Sequence, residues 1–577
     1  MRQDIIERTD GIPLFVEEMT KAVLEAESES EARRTAALVP SAPLAVPASL
    51  HASLMARLDR LGPAKELAQI GAAIGREFSH LLLAAVMRKP EAELQTALDR
   101  LISAGLLLRH GGEPYATYSF KHVLVRDAAY STLLREPRRA LHARIAEILE
   151  SHFADISENQ PELIARHYRE AGDVAKAVGY LSVAGERALS HSALKEALEH
   201  ITRALQLISA LPDDDIRRRG ELKLQTALAR TLQELKGYGD AQVGEAYTEA
   251  RELSKRVGDV GMHLAALYGL WAYHYLSGQP AAMLEQADEF LALAESQDET
   301  GPIMVGYRLV GTSRLINGYI ADASDALHQA LVRYDPDEHG AASPVGRSLR
   351  ARFGHDVGVT MYSYRSWALW LSGQPADAEK SAERELERGR ALRHDDQSLL
   401  YALWHAGVTY VLLRNADKVA EIGDQLTELA NDRQLPYWQA LGDFLCGWRA
   451  LRAGRAGEAV RLLQEGLRLW AQTGSRIFRP ICLAFLAEAY AADDKPDLAH
   501  RTLEEALRTA NETGERWAEP EIHRLFGDLL IRRGPRAAAV ADYEQAIAVA
   551  RGQGSRSFEL RATASLARVL SGEGRHA

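Results

Sequence analysis

The sequence predicts an all-α protein: a long solenoid of helical hairpins, preceded by a small domain in which three helices lead into a β-hairpin. Two observations carry the solenoid and a third carries the small domain. First, a small-residue step recurs about every forty residues. It runs Gly278-Gln279-Pro280 with Met283, Gly318 with Ala323, Gly373-Gln374-Pro375 with Ala378, then Asn415 with Ala420, Gly454 with Ala459, Asp494 with Ala499 and Gly534 with Ala539. The steps from 278 to 318 and from 415 to 454, 494 and 534 are 40, 39, 40 and 40; only 318 to 373 is long, at 55. A Gly, Asn or Asp ends one helix in the left-handed conformation, and a small residue five positions on lets the next helix pack close. Repetition at this period marks units that bury their apolar faces against their neighbours. Second, large and small residues alternate within units, as in Trp448, Leu451, Gly454, Ala459, Leu463 and then Leu486, Tyr490, Asp494, Ala499, Leu503. Third, helical stripes give way to an alternating pair of short runs around Gly111-Gly112.

The elements follow in order. Residues 1–27 read as two short helices around Asp10-Gly11-Ile12-Pro13, and residues 28–47, with Pro40, Pro43 and Pro47, as a linker. From Ala48, the stripe Leu50, Leu54, Leu58, Leu61 predicts one helix, and Leu67, Ile70, Ile74 another. The segments Glu66–Ile74 and Phe78–Arg88 are read as the second and third helices. Pro90-Glu91 starts a further helix that Gly105 ends. Leu106–His110 and Tyr115–Phe120 then read as a hairpin. Three helices followed by a hairpin is the order of a winged helix. Helices over about 122–134 and 137–153 follow, which closes a winged-helix-like region at 48–158. Residues 159–572 read as the solenoid, tetratricopeptide-like although its period exceeds the usual ~34; HEAT-like pairing is the structural alternative. Residues 335–356 are expected to be its largest loop.

The 577 residues are too many for one core. Formal charge is −11, which argues against nucleic acid as a partner. Lys65, Arg76, Arg88 and Lys89 form no dense basic stripe on the winged-helix region, so an internal packing module is favoured over DNA reading. Cys446 and Cys482 form no CxxC pair and read as buried thiols. No run approaches the ~18 apolar residues of a membrane span, and Met1–Glu18 carries acids without an unbroken apolar stretch. The expected location is the cytoplasm, with no membrane partner.

Catalytic motifs are missing from the sequence. There is no GxxxxGK[ST] and no Gly-Lys dipeptide, no GxGxxG after a strand, no HExxH and no GxSxG. No catalytic or metal site is assigned. His263 with His274, or His394 with His405, are conceivable ligand pairs, but isolated helix histidines are more often surface or satisfied core residues. Trp271, Tyr275, Trp367, Trp370, Trp404 and Trp438 fall on first helices of hairpins, just before the breaks. They are candidate ligand or peptide contacts on a concave face; packing between repeats is the competing reading.

Residues 6–18, Ile-Glu-Arg-Thr-Asp-Gly-Ile-Pro-Leu-Phe-Val-Glu-Glu, resemble the GNPLFVEEL segment that closes the ATPase domain of bacterial STAND-type regulators. Val46–Leu50 and Leu54–Asp59 resemble the start of their winged helix, and Tyr118–Tyr130 resembles their FxHxLxRDxAY segment. His142–Ala146 and Ile164–Tyr168 continue the likeness, which covers 1–210. The order resembles the C-terminal half of adenylate/guanylate cyclase proteins that carry an ATPase module and tetratricopeptide repeats. This resemblance implies that residues 1–27 are the remnant of an ATPase lid. It implies that Pro13 packs on adenine and that His122 senses a nucleotide phosphate, with ATP or ADP bound only if a separate P-loop half is supplied. It also implies a truncated product, a split gene or a mis-called start. The expected function is a non-catalytic signalling scaffold: repeats that sense a protein or small-ligand signal and pass it to an ATPase or cyclase module, in cis in the ancestor or in trans here. The alternatives are a winged-helix transcriptional regulator and a cyclase by family.

Overall fold

The computed structural model describes residues 20, 50–112, 115–237, 239–392, 395–533 and 536–571. Apart from residue 20, the segments read as ATPase lid and linker lie outside the described residues, as do Pro13 and Gly534. The chain forms two compact units that divide between Pro212 and Asp213. That division falls inside the range expected for the solenoid. Among the described residues no helix is long and apolar enough to cross a membrane.

The first unit opens with α1 (Leu50–Arg60) and α2 (Ala64–Ile74), then β1 (Glu77–Ser79), α3 (His80–Met87) and α4 (Glu91–Ser103). The hairpin strands β2 (Leu107–His110) and β3 (Thr117–Phe120) follow. β3 is central, antiparallel to both neighbours, with Phe78 opposite Tyr118 and Leu107 opposite Phe120. Tyr118 and Phe120 point inward, and with Phe78, Leu67, Leu83, Leu98 and Leu101 they form the core. The expected helix over 78–88 is thus split. Its first residues pair as a strand, and Ser79 caps what remains by accepting from the Leu82 amide at 3.2 Å. Beyond the sheet come α5 (Val123–Ser131), α6 (Arg135–His152) and α7 (Ala154–Asn159). Then come α8 (Pro161–Ala171), α9 (Val174–Ser190) and α10 (Leu194–Ile208).

The second unit is a tetratricopeptide-like α-solenoid. Its hairpins are α11 (Asp215–Lys236) with α12 (Ala241–Val257), α13 (Val260–Leu276) with α14 (Pro280–Gln297), and α15 (Thr300–Ile316) with α16 (Ile320–Val332). After an insertion, they resume with α19 (Val357–Leu371) and α20 (Pro375–Ala391), then α21 (Asp396–Leu413) and α22 (Ala416–Asp432). Next come α23 (Pro436–Arg452) with α24 (Ala456–Gln472), α25 (Arg479–Ala492) with α26 (Pro496–Thr513), and α27 (Glu519–Arg533) with α28 (Arg536–Gln553). A single helix, α29 (Arg556–Ser571), ends the series. The expected loop at 335–356 is instead largely helical: α17 (Pro336–His339) and α18 (Pro344–Phe353), each begun by proline and capped by Asp335 and Ser343.

The forty-residue step works as local chemistry predicts. Gly278, Gly318, Gly373, Gly454 and Asp494 are all left-handed, with φ between 55° and 87°. Met283, Ala323, Ala378, Ala459, Ala499 and Ala539 are buried. One step is displaced: Arg414, not Asn415, takes the left-handed conformation, at φ 58°. Asn415 instead caps α22 by accepting from the Lys418 amide, and the fully buried position moves from Ala420 to Val419.

A second set of contacts joins hairpins far apart in sequence. The Arg476 amide donates to the Leu276 carbonyl at 2.7 Å, and the Arg516 amide donates to the Ile316 carbonyl at 2.9 Å. Leu276 and Ile316 end α13 and α15, where carbonyls lack intrahelical partners. The Ser557 hydroxyl donates to the Trp370 carbonyl near the end of α19. These three within-hairpin turns therefore each receive a later linker, the ones that lead into α25, α27 and α29, so hairpins far apart in sequence are joined. Gly278 is required at one such junction. Besides its φ of 70°, a Cβ there would stand 3.0 Å from Arg476 Cβ and 3.2 Å from Thr513 Cγ2.

Candidate functional site in the interior of the second unit

The linkers share a pattern: Thr473-Gly474-Ser475-Arg476-Ile477-Phe478, Thr513-Gly514-Glu515-Arg516-Trp517 and Gln553-Gly554-Ser555-Arg556-Ser557-Phe558. The glycines are left-handed. The aromatic that follows each arginine enters the interior and is at most 1% exposed. This forty-residue series is present in the sequence, but local propensity gives it no meaning, because its partners lie far away along the chain.

Those aromatics meet four of the six tryptophans and tyrosines predicted to line a concave face. Phe478 packs on Tyr275, Trp367 and Trp404 with ring centroids at 6.1, 5.6 and 5.8 Å. Trp517 stacks on Trp367 at 5.3 Å, and Phe558 meets Trp370 edge-on at 5.1 Å. Trp271 stacks on Tyr275 at 5.4 Å, and its indole N–H donates to Ser313 Oγ at 2.9 Å. Trp438 stands apart, with its N–H on Gln397 Oε1 at 3.1 Å. All six are buried. The repeated linkers cover Tyr275, Trp367, Trp370 and Trp404.

Two polar assemblies border this aromatic core. In one, His405 Nδ1 donates to the Tyr401 carbonyl at 2.8 Å, which leaves Nε2 to accept from the Tyr364 hydroxyl at 3.2 Å. The Tyr275 hydroxyl completes the chain. Burial pushes His405 down to about 3, so it stays neutral across the physiological range. The second assembly walls a cavity of about 30 Å³, room for little more than a water. Trp448, Phe485 and Phe558 form its apolar side. Its charges are paired: Arg452 with Glu488, Arg524 with Glu521 at 2.8 Å and with Asp528, and Arg561 with Glu521 at 3.5 Å. Arg414 adds a further positive charge at the rim.

Elsewhere in the unit, Glu385 on α20 is fully buried, and both carboxyl oxygens lack a hydrogen-bond partner. The nearby Ser363 hydroxyl is spent on the Val359 carbonyl at 2.8 Å. Burial holds the Glu385 carboxyl well above the usual range, so it is protonated at neutral pH. A raised folded-state pKa favours folding below the unfolded value near 4.5, and that advantage is lost as pH rises. Replacement by glutamine should therefore stabilise the protein at pH 8, with the gap closing towards pH 4. Melting temperatures of both proteins across that range check it; a gap that widens on acidification contradicts it.

His122 precedes α5 in extended conformation, with its Nε2 buried and unpartnered. His263 bonds Ser254 at 2.7 Å and lies 3.7 Å from Glu289. His274 packs on Tyr273 with ring centroids at 5.2 Å, and His394 lies outside the described residues. Among the described residues no cluster of His, Cys, Asp and Glu could hold a metal ion. Cys482 is buried and Cys446 half-buried, and burial raises both thiols.

No family model matches the chain. An uncharacterized protein of Rhizobium meliloti (strain 1021) is 26% identical over 571 residues, 98% of this chain and 54% of that protein. The chain thus spans about half the length of the curated relative it matches. Among solved structures, similarity extends to a Signal Transduction ATPase with Numerous Domains protein with a tetratricopeptide repeat sensor from Pyrococcus horikoshii. That match has 11% identity and a TM-score of 0.39, covering 96% of this chain and 71% of that one. A Rap protein complexed with Competence and Sporulation Factor gives 9% identity and a TM-score of 0.46, over 65% of this chain and 98% of that one. The quorum sensor NprR of B. thuringiensis gives 12% and 0.41, over 64% and 99%.

Proposed function

We propose that this chain is a signal-transduction scaffold that acts by binding rather than by catalysis. Its solenoid senses a protein partner or a small ligand and passes the state on to an ATPase or cyclase module, in cis or supplied in trans. One observation supports this best. The interior of the second unit is lined by the residue types that anchor ligands, tryptophan, tyrosine and arginine, and is closed by three copies of one linker rather than by a continuous helix layer. ATP or ADP enters the reading only through a separate P-loop half, with Pro13 and His122 as the carried-over contacts.

In the first unit, the order α2, β1, α3, α4, β2, β3, with β3 between the other strands, supports a winged helix. A DNA-reading role is disfavoured, because the helix just before the wing, α4, carries Glu91, Glu93 and Asp99 against the single base Arg100. A gel-shift series against salt should show no complex even at low salt. The scaffold reading is tested with the immobilised full chain and a cytosolic extract. Wild type should retain a partner that Arg414→Glu, reversed at the cavity rim, releases. Equal retention by both, or none by either, sinks the reading.

A further inference from the structure

Arg308 on α15 is only 4% exposed. Its guanidinium lies 4.9 Å from the Trp271 ring and 5.5 Å from the Tyr268 ring, and donates to the Tyr268 hydroxyl at 3.2 Å. It pairs with no carboxylate among the described residues. Of the buried acids of this region, Asp356 is committed to Arg388 at 2.9 Å and Asp395 to Arg350 at 2.7 Å, and burial keeps Glu385 protonated and uncharged. The other polar neighbours, Tyr401, Tyr364 and His355, carry no negative charge at neutral pH. Other buried arginines of this unit do have acid partners: Arg524 has Glu521 and Asp528, and Arg561 has Glu521. A buried cation without a counter-ion is costly, and two aromatic faces and one hydroxyl offset only part of that cost.

The platform around Arg308 is also fixed in advance. Ser313 holds the Trp271 indole, and Phe353 packs on Tyr268 at 5.1 Å. Tyr268, His355 and Tyr401 are each half-buried, and the His355 and Tyr401 rings pack on one another at 4.8 Å. A planar guanidinium held against aromatic faces, with donors to spare, matches the two oxygens of a carboxylate or phosphate.

We propose that Arg308, on its Trp271–Tyr268 platform, is a binding site for the oxyanion of a ligand, a carboxylate or a phosphate, with Tyr268, His355 and Tyr401 as its gate. The role of that ligand as a signal rests on the sensing reading above; the binding itself does not, so either can fail alone.

The test uses the full chain at constant ionic strength, with chloride as the balancing anion. Inorganic phosphate, N-acetylphenylalanine and its neutral amide are titrated while melting temperature and tryptophan fluorescence are followed. Phosphate or N-acetylphenylalanine should raise the melting temperature and change the tryptophan fluorescence, and the amide should do neither. A response to phosphate alone assigns the site to a free phosphate group; a response to the carboxylate alone assigns it to an organic acid or peptide terminus. Arg308→Met should lose the response while melting no lower than wild type in chloride, since it removes an uncompensated charge. Arg308→Lys, which keeps the charge without the fork, should bind at least about tenfold more weakly. If wild type responds to neither anion, if Arg308→Lys or Arg308→Met responds as wild type does, or if Arg308→Met folds but melts lower in chloride, the proposal is overturned.

Discussion

Replacing Trp517 by alanine is expected to destabilise the second unit by about 3–5 kcal/mol, the cost of deleting a large buried aromatic whose site cannot collapse. Trp517 is fully buried and stacks on Trp367, 150 positions earlier. Its indole N–H donates to Glu515 at 2.8 Å, and the same carboxyl accepts the Phe478 amide at 2.9 Å. Phe478 is left-handed, at φ 63°, a strained state for a residue with a Cβ, so Glu515 helps hold it there. One substitution thus loosens two neighbouring linkers. Chemical denaturation gives the energy, and hydrogen exchange supplies a local signature: the Arg476 and Arg516 amides, bonded to Leu276 and Ile316, should lose protection before the amides within the hairpin helices. Trp517→Phe should cost far less. A loss below about 1 kcal/mol for alanine, the size of an average substitution, would show that the linker is not part of the core.

What could be read from the sequence was whatever local chemistry decides. Left-handed glycines at 278, 318 and 373, and prolines at the first position of α14 and α20, set the hairpin turns without help from the rest of the chain. Where tertiary packing overrides local preference, the reading slips. Arg414 takes the left-handed place that Asn415 would be expected to take, and Val419 rather than Ala420 is the fully buried residue that follows. β1 is three residues long, too short for an alternation to register, and exists because β3 offers it an edge. The candidate site divides in the same way. Inward aim of Trp271, Tyr275, Trp367, Trp370 and Trp404 follows from helix periodicity. Closure over the last four does not, since Phe478, Trp517 and Phe558 come from linkers whose contacts span up to about two hundred residues. Arg308 was invisible for a related reason: an unpaired buried charge is defined by what is missing around it, and one-dimensional sequence does not show that.

Glutamine in place of Glu521 is expected to cost about 3–5 kcal/mol, the penalty of leaving buried charges without their partner. Glu521 is 9% exposed and Arg524 is 4% exposed. Both carboxylate oxygens accept from Arg524, at 2.8 and 2.9 Å, and Arg561 stands 3.5 Å from one of them. Burial alone would raise this carboxyl, but the charges of Arg524 and Arg561 outweigh it and hold it down to about 2. A depressed folded-state pKa contributes stability that is present above the unfolded value near 4.5 and lost as pH falls towards 2. Wild type should therefore lose its advantage over Glu521→Gln on acidification, the opposite of the trend for Glu385→Gln. Arg561 also donates to the Leu412 carbonyl and lies 4.6 Å over the Trp370 ring, so it ties α29 to two earlier turns. The damage from losing Glu521 should accordingly spread to α29. Adding Arg561→Met to Glu521→Gln should recover part of the loss, because Arg524 keeps Asp528 as a partner and the second change removes the guanidinium whose ion-pair partner was lost. Denaturation midpoints of the two single variants and the double variant, measured at pH 7 and pH 4, decide this; strictly additive losses at both pH values would mean that Glu521 and Arg561 do not act as a pair.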